Sequence, residues 1–244
     1  MEVTSIDNFS LDGVSCSTVG LWCDTPPIQV LADEKGASYA IGSDEELYIN
    51  DDNFKDIQFR FTAYAFFADD FDQSDVYAFL HGKSKLTMSR NTGYYWKIRS
   101  ISCSPSHSQD GKKIKYQITI RCAPFRYVDN EQTVTLTETG MVENAGTRYC
   151  KPIYTLSLSD SSGSGTLTVN GQSVSISIPQ SIGSTTFVID AEKMLAYSIG
   201  TGNVKTIRTN LTSGIYPFLG VGNNYVQFSG IIQSVDIQRN ERCY

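Results

Sequence analysis

Two histidines and six cysteines are all the imidazole and thiol groups from which a metal centre or an activated nucleophile could be built. His81 closes a helix-like run and His107 lies in a Ser-rich loop, with no HExxH arrangement. Isolated in this way, they supply neither a Ser-His-Asp triad nor a ligand set, and surface histidines are expected. Cys16, Cys23, Cys103, Cys122, Cys150 and Cys243 include no CxxC pair, which argues against a zinc ribbon. The start MEVTSIDNFS has neither a basic n-region nor an apolar h-region. Reduced thiols are therefore expected, not a disulfide framework. The acidic run Asp69-Asp70-Phe71-Asp72-Gln73-Ser74-Asp75 imitates a calcium loop. Counted from Asp70, however, the sixth position is Asp75, where the sharp turn needs Gly, and the twelfth is His81, where a bidentate Glu is needed. Helix capping explains these acids instead. No carboxylate pair stands out for glycoside hydrolysis. Gly200-Thr201-Gly202 and Gly220-Val221-Gly222 are loop glycines that open no helix after a strand. The expectation is no catalytic residue, no metal, no cofactor and no enzyme activity.

The aromatic residues are what remains for recognition. Tyr94, Tyr95 and Trp96 are consecutive, so they cannot share one sheet face, and some core burial is expected for them. Trp22, between Leu21 and Cys23, reads as core more readily than as a binding platform. Surface aromatics such as Tyr197 or Tyr225 would be the ones to test for sugar contact.

The elements that would carry these residues are strands. Ile57, Phe59, Phe61, Ala63 and Ala65 alternate with Gln58, Arg60, Thr62, Tyr64 and Phe66, a half-buried strand that becomes buried on both faces. Ile114, Tyr116, Ile118 and Ile120 alternate with Lys115, Gln117, Thr119 and Arg121, whose bases fit a solvent, lumen or subunit-facing surface. One helix is expected over Ser74 to His81, capped by Asp72 and ended by Gly82. Composition shifts near residue 128, and Ser, Thr and Gly rise. Leu167 and Val169, Asn170-Gly171, then Val174, Ile176 and Ile178 spell a hairpin with a type I′ turn. Phe187 to Ile189 and Met194 to Tyr197 form a second hairpin, and Gly230 to Ile237 a last strand. The reading is mainly β: two β-sandwich domains, residues 1–128 with the single short helix and residues 129–244.

Hydrophobic content of 40% suffices for packed cores. A net charge of −6 disfavours general nucleic-acid binding, and the longest apolar run, Ala63 to Ala68, is too short to span a bilayer. The distribution of charge is uneven. Residues 1–75 hold 16 acids against 3 bases, a net −13; residues 76–128 hold 1 acid against 10 bases, a net +9; the remainder is −2. Either two solvated faces of one domain attract each other, or opposite faces meet between identical subunits.

Several segments resemble, in order, the distal tail protein family of long-tailed bacteriophages (siphophages). Phe79-Leu80-His81-Gly82, Leu86-Thr87-Met88-Ser89 and Gly93-Tyr94-Tyr95-Trp96-Lys97 resemble that family's helix, short strand and tyrosine-rich segment. Ile118 through Tyr127, ending Ala123-Pro124-Phe125-Arg126-Tyr127, resembles the strand that closes its first domain. Glu143-Asn144-Ala145-Gly146-Thr147 and Lys151-Pro152-Ile153-Tyr154 are similar to the entry into its second domain. Leu167 to Gly171, Val188 to Glu192, Tyr216 to Leu219 and Gly222-Asn223-Asn224 continue the match, which spans about residues 57–240. The resemblance implies an N-terminal domain assembling as a homo-hexameric ring and a peripheral C-terminal domain that is galectin-like or carbohydrate-module-like. It implies a baseplate hub at the virion tail tip, assembled in the host bacterial cytoplasm. The hub would join the tail tube protein to the tail-associated tip or fibre protein, and DNA would pass through its opening. A receptor-binding protein or host-surface saccharide would be a further partner; no membrane or sequence-specific nucleic-acid contact is implied. The alternatives are a carbohydrate-binding module or adhesin of the tail tip or cell surface, and a tail-tip glycoside hydrolase.

Overall fold

The computed structural model describes residues 9–23, 31–40, 46–66, 72–107, 113–182, 185–200 and 204–244. Contacts divide the chain into two compact units, residues 1–129 with Tyr244 and residues 130–243. Asp69, Asp70 and Phe71 of the calcium-like run lie outside the described residues, as do Thr201 and Gly202.

The first unit contains β1 (Phe9–Leu11), β2 (Val14–Ser15), β3 (Leu21–Cys23), β4 (Glu34–Ala40), β5 (Glu46–Phe54), β6 (Ile57–Phe66), α1 (Gln73–Leu80), β7 (Lys85–Met88), β8 (Tyr94–His107) and β9 (Lys113–Val128). Its main sheet runs β2-β1-β7-β8-β9-β6-β3, while β4 and β5 form a separate ribbon. The two alternating segments pair antiparallel, from Ile57 opposite Cys122 to Phe66 opposite Lys113. Opposed residues share a face, so Phe59, Phe61, Ile118 and Ile120 join one buried cluster with Trp96. The helix packs Val76, Phe79 and Leu80 onto that cluster. Asp72 Oδ1 accepts from the Ser74 amide at 2.8 Å, and Gly82 follows the C-cap at φ 67°, so both ends form as the sequence requires.

The second unit contains β10 (Val134–Leu136), β11 (Gly140–Asn144), β12 (Ile153–Leu158), β13 (Gly163–Val169), β14 (Gln172–Ile178), β15 (Thr186–Asp190), β16 (Leu195–Ile199), β17 (Lys205–Ile207), β18 (Thr212–Gly214), β19 (Gly222–Gly230) and β20 (Ile232–Gln238). Two antiparallel sheets, β10-β20-β12-β15-β16-β17 and β11-β19-β13-β14-β18, contribute to one core. Tyr154 and Leu156 from the first meet Leu167, Val169 and Val174 from the second. The Asn170-Gly171 turn has φ of 47° and 83°, the two positive values a type I′ turn needs.

Three expectations shift. The last strand does not begin at Gly230. Gly230 ends β19 at φ 73°, and a Cβ there would run into the Ser164 carbonyl, so Gly230 and Ile231 turn the chain before β20. Met194 stands in the turn at φ 54°, and β16 starts at Leu195. Trp22 is half-exposed, because Leu21 and Cys23 take the inward positions of β3; its ring stacks on Tyr64 at 5.0 Å. Among the described residues no helix is long and apolar enough to cross a membrane.

Candidate assembly surfaces

The outward face of the first sheet is built by register. Ser100, Arg121 and Gln58 form one row across β8, β9 and β6, followed by Ser102, Thr119 and Arg60, and then Ser104, Gln117 and Thr62. Most of these side chains are exposed. Asp56 holds Arg121 at 2.9 Å and Gln58 accepts from Arg60 at 2.8 Å. Exposed pairs of this kind contribute about 0–1 kcal/mol, so they leave the face free to exchange partners. The face is thus flat, polar and basic, suited to meeting a polar protein surface rather than to chemistry. From Arg99 onward β8 pairs only with β9 among the described residues, and Pro105 sits there, as a strand edge allows.

Beyond Cys122 the same strand changes character. The register with β8 slips between Trp96 and Ser100, opposite Ala123-Pro124-Phe125. Ala123, Phe125 and Tyr127 are then buried on the side opposite Trp96. Phe125 meets Phe54 at 5.0 Å, and Tyr127 stacks on Tyr95 at 5.6 Å. Lys97 lies 4.0 Å from the Tyr127 ring and Lys85 4.3 Å from Tyr95, and Lys85 pairs with Asp129 at 3.1 Å. Stacked rings between ammonium groups add about 0.5–1 kcal/mol per contact at sites this exposed.

In the second unit the motif segments converge on joints of the scaffold. Asn144, fully buried, donates through Nδ2 to the carbonyls of Arg148 (2.9 Å) and Gly220 (3.1 Å) and accepts from the Gly146 amide at 3.0 Å. Position 146 must be Gly, since a Cβ would stand 2.5 Å from the Arg242 carbonyl. Asn224 accepts from the Gly220 amide (2.7 Å) and donates to the Gly222 carbonyl (2.8 Å), and Asn170 donates to it at 2.9 Å. Asp190 is buried and holds Lys193 at 3.2 Å, fixing the turn between β15 and β16. Its carboxylate raises the Lys193 pKa, first through this hydrogen bond.

Near the start of this unit Arg239 binds two buried carboxylates, Glu131 at 3.2 Å and Glu241 at 2.9 Å. Glu131 also accepts from the Asn240 amide, and Glu241 from that of Ala145. Burial pushes the Glu131 carboxyl above the ordinary range, with Glu241 adding to it, against the amides and Arg239. Both carboxylates therefore act as braces for backbone and guanidinium. No sequence periodicity marks this triad, because Glu131 lies more than 100 residues before Arg239 and Glu241.

His81 and His107 are exposed, and the six cysteines are free thiols, all buried except the half-buried Cys103. Among the described residues no group of three His, Cys, Asp or Glu could hold a metal. Of the consecutive aromatics Trp96 is buried, while Tyr94 and Tyr95 are half-buried. Tyr225 is exposed, opposite the exposed Met141, and Tyr197 lies half-buried under Lys205 at 5.2 Å.

No family model matches the sequence, and no curated protein matches it. Among solved structures, the chain is similar to the Dit protein of phage SPP1, described as a paradigm of the hub adsorption apparatus in phages infecting Gram-positive bacteria. The TM-score is 0.65 at 14% identity, over 96% of this chain and 98% of that one. It is also similar to a chain in the structure of the phage P2 baseplate in its activated conformation with Ca, with TM-score 0.50 at 7% identity, over 96% and 97%. At these identities the likeness is one of fold, and it runs the length of both chains.

Proposed function

We propose that this protein is a structural distal tail protein of a long-tailed bacteriophage, without enzymatic activity. Residues 1–128 would form a homo-hexameric ring, and residues 129–244 a peripheral galectin-like domain. The ring would join the tail tube to the tail-associated protein and let DNA pass, at the tail tip of a virion assembled in the host bacterial cytoplasm. The observation that carries this reading is the end-to-end fold likeness to a phage adsorption hub, over 96% of this chain and 98% of that one. The charge division supports it, because a chain with a −13 segment and a +9 segment can meet its own copies head to tail. The polar basic sheet face and the motif residues used as braces also suit a scaffold. The test is the mass of the purified protein in solution, followed by imaging of any ring alone and with tube or tip proteins. Hexamers are expected; a protein that stays monomeric and binds neither partner removes the reading.

A second reading, a carbohydrate-binding module, draws on exposed Tyr225 beside Met141 on the outer face of the β11–β18 sheet. Glycan-array binding lost in Tyr225→Ala would establish it, and a flat array would remove it.

A further inference from the structure

A groove of about 380 Å³ runs between the C-terminal end of α1 and β8. Its floor is apolar: Leu80 is buried, and Ile98, Ile101 and Cys103 are half-buried. Its rim carries His81, Lys83 and Arg99, and no acidic side chain among the described residues lines it. The carboxylate of Asp12 accepts from the amides of Ser84 and Lys85 and from the Ser84 hydroxyl and feels the charge of Lys83, but it does not line the groove. Close to two lining residues, Tyr77 and Cys103, lies Tyr116, fully buried, whose hydroxyl has no hydrogen-bond partner among the described residues. Burial pushes this phenol up to about 12, so it remains a donor at neutral pH. The stretch of β8 from Arg99 to Ser106 has one pairing partner among the described residues, and its first part, Arg99 to Ile101 with Cys103, lines the same groove.

We propose that this groove docks an extended acidic peptide of a partner protein, its carboxylates on Lys83, Arg99 and His81 and its apolar side chains on Leu80, Ile98 and Ile101. Strand addition along an open edge supplies backbone bonds, and the groove supplies selection by charge and by apolar fit. The occupant is acidic because His81, Lys83 and Arg99 line the groove and no acidic side chain among the described residues lines it with them. It is a peptide rather than a small anion because the apolar floor continues along a strand edge. The inference stands on this groove and does not depend on ring formation.

Cys103 provides the readout, being the one cysteine of the six that is not buried. In the full-length protein, modification of this thiol by Ellman's reagent would be followed with and without an N-acetylated peptide of alternating Glu and Leu, with Cys103→Ser identifying the signal. The peptide is expected to slow modification at least five-fold, and the Lys83→Gln/Arg99→Gln variant, compared with its own peptide-free rate, to lose that protection. Equal protection by a Lys-Leu peptide overturns the charge argument. Equal protection by hexanoate alone overturns the peptide. Slowing of the thiol by raised protein concentration, with no peptide present, gives the groove to a second copy of the chain and overturns the partner. Solution mass, measured separately, reports on the ring, so the two readings fail independently.

Discussion

The two units bury their strands in different ways. In the second, two sheets face each other, and inward residues from both meet in one core. In the first, the long sheet packs its main core under α1, turns a polar face outward along β8, β9 and β6, and beyond Cys122 buries Ala123, Phe125 and Tyr127 on that other side as well. A sandwich satisfies its own sheets and leaves recognition to loops and exposed aromatics. A sheet left partly uncovered keeps a polar face available, with Arg60 and Arg121 exposed on it. The first unit thus presents an exposed polar sheet face, and the buried braces lie in the second.

This contrast can be broken experimentally, because Trp22 and Trp96 both belong to the first unit and the second has no tryptophan. Trp96 is fully buried against Phe59 at 5.2 Å. Trp96→Ala should cost the first unit about 3–5 kcal/mol. Trp22 fluorescence should then report early unfolding in urea while a second circular-dichroism transition stays in place; a single shared transition would mean the units unfold as one. Asn144→Ala should cost about 2 kcal/mol, since the Gly220 carbonyl and Gly146 amide lose their partner. That loss should shift the circular-dichroism transition of the second unit and leave the tryptophan signal unmoved.

Asp12, at φ 50° in the turn between β1 and β2, reaches across to Ser84 and Lys85. Asp12→Ala should cost the first unit about 1 kcal/mol, read as an earlier tryptophan midpoint.

The smallest effect is a difference in sign with pH. Burial raises the Asp12 carboxyl, but the Ser84 hydroxyl, the amides of Lys85 and Ser84 and the charge of Lys83 outweigh it, so its pKa is lowered on folding. Its contribution is present above the unfolded value of about 3.9 and fades as pH falls through the lower folded value. Glu131 is raised on folding, so its contribution is full below the unfolded value of about 4.3 and fades as pH rises through the folded one. Acidification from neutral pH should therefore weaken the first unit through Asp12 and favour the second through Glu131. Thermal scans of Asp12→Asn and Glu131→Gln against pH would test this, each variant flattening its own unit's slope.

Much of the scaffold is legible in residue order because it rests on short-range periodicity. Alternation fixed which side of Ile57 to Ala65 and of Ile114 to Cys122 turns inward. Asp72 and Gly82 bounded the helix, and Asn170-Gly171 set a hairpin, since each acts on backbone within a few residues. What the sequence could not reveal depends on distant partners. Phe125 and Tyr127 are buried on the face where Arg121 is exposed, because coverage of a strand is decided by what lies across it. Trp22 follows the phase of β3, which its apolar neighbours concealed. The motif residues Asn144 and Asn224 were visible as types, yet their work as braces needs carbonyls up to 82 positions away. The thiol and tyrosines at the groove, together with His81, Lys83 and Arg99, come from α1, β8, β9 and the turn between them. Only folding brings those side chains to one place, because the hydrophobic burial that packs α1 on the sheet is indifferent to sequence distance.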